Sequence, residues 1–141
     1  VEYLVIKAFD IATFAYNGLV DKSGVDYIYH PLSVARKVSS LGDEYEATAL
    51  LHDAIEDSEL DAEELINMGM PGVVVNAVVI LTKKPGVSYL DFVRSIKDSG
   101  NVMAIKVKLA DLEDNMDSSR GYKMPESMAK RYAKAVEILK E

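Results

Sequence analysis

His52 and Asp53 stand side by side in "LLHDAIED" (50–57), with Glu56 and Asp57 close behind. On a helix of 3.6 residues per turn the two adjacent groups point about 100° apart. Glu56 then lies one turn after His52, and Asp57 one turn after Asp53. All four can flank one cleft while Ala47, Leu50, Leu51, Ala54 and Ile55 face inward. Taken alone, the His-Asp dipeptide is a weak motif and reads as a solvated helix end. Two further residues change its meaning. The other histidine of the chain, His30 in "YIYHPL", sits at a loop-to-helix junction, where side chains project into clefts. Asp111 in "VKLADLEDN" follows a mostly apolar stretch near a core face, where an unpaired carboxylate is costly to bury. Two imidazoles and two carboxylates make a mixed nitrogen and oxygen donor set. Such a set suits Mn, Fe or Zn better than Ca or Mg, which prefer oxygen shells. The three pieces are far apart in sequence, so only a fold can bring them together.

The elements that must do so read as helices. Residues 1–17 carry Leu4, Ala8, Ile11, Ala12 and Ala15 at helical spacing. Two glycines and a proline make 17–31 a long loop. Pro31 suits the first turn of the next helix, which runs to a C-cap at Gly42. Asp43 is placed to N-cap a helix of 11 to 14 residues that carries the His-Asp pair, and Asp61 to start a short helix over 61–68. The β-branched run in "PGVVVNAVVILT" (71–82) is compatible with a strand, but its leading proline and the lack of a hairpin partner favour helix. A turn at 83–88 precedes a helix over 88–98 with Tyr89, Phe92, Val93 and Ile96 on one face. Over 102–116 the spacing Val102, Ile105, Leu109, Leu112, Met116 outweighs a short alternation and predicts helix. A last helix over 125–139 turns Ala129, Tyr132, Ala133, Val136 and Leu139 to the core. The expectation is an all-α domain of seven or eight helices.

Composition fits one domain over residues 1–141, with a proper core. No apolar run approaches the ~18 residues of a membrane span. The start, "VEYLVIKAFDIATFAY", lacks a basic n-region and a cleavage site, so it reads as an amphipathic helix and not as a signal peptide. The absence of cysteine excludes disulfides, thiolate metal sites and a cysteine nucleophile, and fits a reducing cytoplasm. A net charge of −7 argues against general nucleic-acid affinity, which comes from neutralising phosphates. Lys108, Arg120, Lys123 and Arg131 read as solvated charges more readily than as substrate contacts.

The ordered set "DKSGVDYIYHPLSVA", "ATALLHDAIEDS" and "AIKVKLADLEDNM" resembles the HD-domain phosphohydrolases. Within them it is most similar to the hydrolase domain of the RelA/SpoT alarmone enzymes, in the small stand-alone form that lacks a synthetase. The resemblance runs from about residue 8 to 139 and implies an HD-type helical bundle. It implies His30, His52, Asp53 and Asp111 as ligands of a divalent metal, usually Mn²⁺. It places Glu56 and Asp57 as the pair that orients the attacking water and handles its protons. Lys22, Ser23 and Asn115 fall at nucleotide contacts, and Ser118 and Tyr122 at the pocket wall. The implied reaction is hydrolysis of the 3′-pyrophosphate of ppGpp or pppGpp to GDP or GTP. The chain offers no room for a second, synthetase domain.

The sequence departs from that family at several positions. Tyr16 replaces a histidine, Leu19 a glutamine and Asp21 an arginine. The resemblance assigns that arginine to stacking on the guanine base, which an aspartate cannot do. After Asp111, Leu112 and Glu113 stand where Arg-Leu is usual, and Asp114 follows. The ligand set is untouched, while the base-binding side has lost basic groups. Two alternatives follow: a phosphohydrolase acting on another nucleotide or small phosphate ester, such as a dinucleotide cofactor, and a nucleotide-sensing module without turnover.

Overall fold

The computed structural model describes residues 2–117 and 123–141. Among these, nine α-helical segments and one 3₁₀ turn account for the regular structure, and no strand is present. They are α1 Glu2–Ala15, α2 Tyr29–Val38, α3 Asp43–Leu51, α4 Ala54–Asp57 and α5 Ala62–Asn67. Then follow α6 Gly72–Ile80, α7 Tyr89–Asp98, α8 Val102–Asn115 and α9 Glu126–Lys140. No helix among the described residues is long and apolar enough to cross a membrane.

The centre of the packing is α3. It lies against α1, α2, α6 and α8, so Ala47, Leu50 and Leu51 meet side chains from four helices. The β-branched run of α6 is a helix, with Val74, Val75, Ala77 and Val78 buried against α3, α5 and α8. Asp61 caps α5 through a complete capping box: it accepts from Glu64 N, and Glu64 Oε1 accepts from Asp61 N.

Five expectations need correction. The helix begun by Pro31 stops at Val38 and continues as the 3₁₀ turn Ser39–Leu41. Gly42 caps that turn at its C-terminal end, as expected, and at φ 123° it is also the N-cap of α3, a conformation that would strain any L side chain. Asp43 is therefore not the cap but lies in the first turn, where its charge still favours the helix dipole. The helix expected to carry the whole "LLHDAIED" motif is interrupted. α3 ends at Leu51, Asp53 takes φ −108° and ψ 5°, and α4 restarts at Ala54. In α8 the buried face is Ala104, Val107, Lys108, Ala110, Asp111, Leu112 and Asp114, whereas Val102 and Met116 are exposed. In α9, Ala133 is exposed and Ala135, Ile138 and Leu139 fill the core.

Candidate metal centre and adjoining cavity

The interruption between α3 and α4 sets the geometry. Breaking a helix leaves backbone groups without intrahelical partners. Tyr16, at the end of α1, supplies them: its hydroxyl donates to Leu50 O at 3.0 Å and accepts from Asp53 N at 3.3 Å. This accounts for a tyrosine where the resemblance leads one to expect histidine. The Tyr16 ring is buried and meets Tyr27 edge-on, 5.2 Å between centroids. The Tyr27 hydroxyl donates in turn to Asp53 Oδ2.

His52 and Asp53 face His30, the second residue of α2, and Asp111 on α8. One donor atom from each of His30, His52 and Asp53 lies within 4.8 Å of the other two. Asp111 adjoins this trio. Its Oδ1 is 2.7 Å from His30 Nε2 and 3.3 Å from His52 Nε2, and its Oδ2 takes the Lys108 ammonium at 2.8 Å. The four residues predicted as ligands are thus brought together, with Asp111 at the edge and shared with a lysine.

Whether these residues fit a cation is decided at His52. Its Nδ1 donates to Ala49 O at 2.6 Å, so that nitrogen holds a proton. Its Nε2 is buried with no hydrogen-bond partner, yet lies 3.1 Å from Asp53 Oδ2 and 3.3 Å from Asp111 Oδ1. An imidazole lone pair facing two carboxylate oxygens needs positive charge between them. In the ion-free cluster that charge is a proton: burial disfavours it, but Asp53 and Asp111 hold His52 well above the usual histidine range. A divalent ion meets the same need, and the backbone-bonded Nδ1 is the common arrangement of a metal-binding histidine. The donor set fits the ion.

Lys108 corrects an expectation. It is 8 % exposed, lies 5.2 Å above the Tyr89 ring and 5.5 Å above that of Phe92, and pairs with Asp111. Burial opposes its charge, but Asp111 outweighs that and raises its pKa. Of the other cations, Arg131 is exposed over the Tyr89 ring and Lys123 is exposed. Arg120 lies outside the described residues, as do Ser118 and Tyr122.

The two acids of α4 differ. Glu56 Oε1 accepts from Lys83 N at 2.8 Å and so fastens the turn after α6. Asp57 stands on the rim of the cluster, and burial, then Asp53 and Glu56, push its carboxyl up to about 6. Its side chain retains a solvent-exposed face, so the environment is mixed rather than sealed.

Beside the cluster opens a cavity of about 310 Å³, lined in part by Asp21, Lys22, Ser23, Tyr27, Asn115 and Tyr132. The predicted contacts Lys22, Ser23 and Asn115 all fall on it. Two lining residues reach the cluster: Tyr27 through Asp53, and Asn115 Nδ2 donating to Asp111 Oδ1 at 3.2 Å. Asp21 Oδ1 accepts from Ser23 N and Val25 N, at 2.8 and 3.0 Å, and folds the loop over this wall.

The solved structure of a metazoan ortholog of SpoT, described as hydrolysing ppGpp, matches 96 % of this chain and 85 % of its own, with a TM-score of 0.80 at 20 % identity. The chain has the fold of that hydrolase. A probable GTP pyrophosphokinase of Mycobacterium leprae is 29 % identical over 146 residues, 96 % of this chain and 18 % of that protein. Guanosine-3′,5′-bis(diphosphate) 3′-pyrophosphohydrolases of Aquifex aeolicus and Vibrio cholerae are 39 % and 38 % identical over 61 residues, 42 % of this chain and 9 % of each relative. The chain therefore spans less than a fifth of these curated RelA/SpoT-type relatives. No protein-family model matches it.

Sequence reasoning missed three members of the site. Tyr27 holds Asp53, and Lys108 holds Asp111. Asp114, noted only as an extra acid, is 1 % exposed and bonded to His30. Its position one turn after Asp111 was the available signal.

Proposed function

We propose that residues 1–141 act as one HD-type domain that removes the 3′-pyrophosphate of ppGpp or pppGpp, giving GDP or GTP and pyrophosphate. The reading includes Mn²⁺ as the ion, a small nucleotide as the partner in place of nucleic acid or membrane, and the cytoplasm as the compartment. The observation that carries it is the junction of the two halves: a His/Asp cluster calling for a cation is joined to a nucleotide-sized cavity by Tyr27 and Asn115, which line the cavity and bond Asp53 and Asp111. The names of the relatives support the choice of substrate.

His30, His52, Asp53 and Asp111 would hold a divalent ion, which would supply a nucleophilic water at neutral pH and charge neutralisation for the phosphoryl oxygens. The chain's own groups do the rest. His30 and His52 present Nε2, and Tyr27 fixes the rotamer of Asp53. Lys22 draws the phosphates into the cavity. Asp57 aligns the water and takes its proton as the water oxygen bonds to phosphorus. The bond from phosphorus to the 3′ oxygen breaks, and that oxygen leaves as the nucleoside hydroxyl with the proton Asp57 returns. Glu56, fastened to Lys83 N, supports the helix turn that carries Asp57.

Asp57→Asn is expected to lower kcat by about 10²-fold with KM little changed, the lower end of what a positioned acid–base group contributes. Steady-state kinetics with a pyrophosphate-release assay check this.

One observation favours a second reading, a phosphohydrolase acting on another nucleotide. Asp21 and Asp117 line the cavity where a polyanion would be met by cations. The deciding experiment is product analysis after incubation of the Mn²⁺-loaded protein with ppGpp beside a panel of other nucleotides. GDP and pyrophosphate are the expected products. A protein inert to ppGpp that cleaves another nucleotide would overturn the substrate, and binding without turnover would mark a sensing module.

A further inference from the structure

His30 is held at both ring nitrogens. Its Nε2 faces the cluster, 2.7 Å from Asp111 Oδ1. Its Nδ1, on the opposite side of the ring, meets Asp114 Oδ2 at 2.6 Å. Asp114 Oδ1 accepts in turn from Ser33 Oγ at 2.5 Å. Ser33 is one turn beyond His30 on α2, and Asp114 one turn beyond Asp111 on α8. The contact between the two helices thus repeats with a helical period, once at the cluster and once behind it.

We infer that Asp114, anchored by Ser33, is a positioning residue that selects the tautomer and ring orientation of His30 for ion binding. The inference rests on the reading that the cluster binds a divalent ion. An ionised carboxylate can only accept, so it keeps the imidazole proton on Nδ1. When an ion arrives, the proton that must leave is the one on Nε2, and the lone pair offered is the one facing the cluster. His52 receives the same instruction from the Ala49 carbonyl. At His30 the partner of Nδ1 is instead the carboxylate of another helix. Carboxylate partners of this kind typically govern metal affinity by about 10- to 100-fold.

The test is calorimetric titration of the metal-stripped protein with Mn²⁺, for the wild type, Asp114→Asn, Asp114→Leu and Ser33→Ala. Folding of each is checked by circular dichroism. Asp114→Leu is expected to weaken Mn²⁺ binding by about 10- to 100-fold. Asp114→Asn, whose amide oxygen still accepts from Nδ1, should recover part of that loss, and Ser33→Ala should lose severalfold. A second readout is independent of affinity. The chain has two histidines, so an imidazole ¹⁵N spectrum with diamagnetic Zn²⁺ resolves both. His30 should keep its proton on Nδ1 in the wild type and show mixed tautomers in Asp114→Leu. Should Asp114→Leu not fold, Asp114→Asn and Ser33→Ala carry the test. Folded variants with wild-type affinity and an unchanged tautomer overturn the inference and leave the metal reading intact. A wild-type protein that binds neither Mn²⁺ nor Zn²⁺ overturns the metal reading itself.

Discussion

Replacing Asp53 by alanine is expected to reduce kcat/KM for Mn²⁺-dependent pyrophosphate release by at least about 10³-fold, since charge stabilisation by the ion is worth several kcal/mol. Asp53 ties the cluster to the helix break. Its carboxylate faces His52 Nε2 at 3.1 Å and takes the Tyr27 hydroxyl, and its backbone N–H is held by Tyr16. Removing the side chain deletes one of the three mutually close donors and leaves Tyr27 without its acceptor. The backbone of the break is untouched, because Tyr16 bonds the main chain there. The variant should therefore keep its helical circular dichroism while Mn²⁺ affinity falls. Undiminished turnover in a folded Asp53→Ala protein would remove the metal assignment.

The second large effect concerns stability. Lys108→Met should destabilise the metal-free protein by about 3–5 kcal/mol, the range for breaking a buried ion pair from one side. Methionine keeps the contact with Tyr89 and Phe92 but leaves Asp111 Oδ2 without the Lys108 ammonium. His30 and His52 remain nearby, so the carboxylate is not wholly uncompensated, and the lower half of that range applies. A divalent ion reaches the same carboxylate. Mn²⁺ should restore part of the lost stability, raising the melting temperature of Lys108→Met more than that of the wild type. Thermal unfolding with and without Mn²⁺ measures both numbers. Equal metal-induced shifts in the two proteins would mean that Lys108 and the ion do not share Asp111.

Much of this was legible because it is local. The capping box of Asp61 and Glu64 needs only two residues three apart, and the spacing of Leu4, Ala8, Ile11 and Ala12 places α1 correctly. The metal residues were legible through resemblance, since no spacing rule joins residues 30, 52 and 111. What was not legible depends on partners distant in the chain. The break at His52 and Asp53 is held by the hydroxyl of Tyr16, more than 30 residues away. The buried face of α8 was misread because it contains Lys108 and Asp114 beside Asp111, and a hydrophobic period assigns those two to solvent. The two carboxylates meet His30, 84 residues from Asp114, and Lys108 meets Asp111. The cavity residue Asp21 was read as a lost base contact, whereas in the fold it also closes the turn to Val25.

Tyr27 and Asn115 are party walls: each is at once a face of the cavity and a fastening of the cluster. Sequence drift that retunes ligand preference is therefore not free to occur everywhere around the cavity. A change at either party wall alters ion affinity together with selectivity, and the two traits cannot be optimised separately there. The cavity wall continues away from these two residues through Asp21, Met124, Met128 and Tyr132. That division matches where the sequence departs from the pattern it resembles, at Asp21 and not at Asn115, and it marks that wall as the place where the cavity's selectivity can change while the cluster is kept.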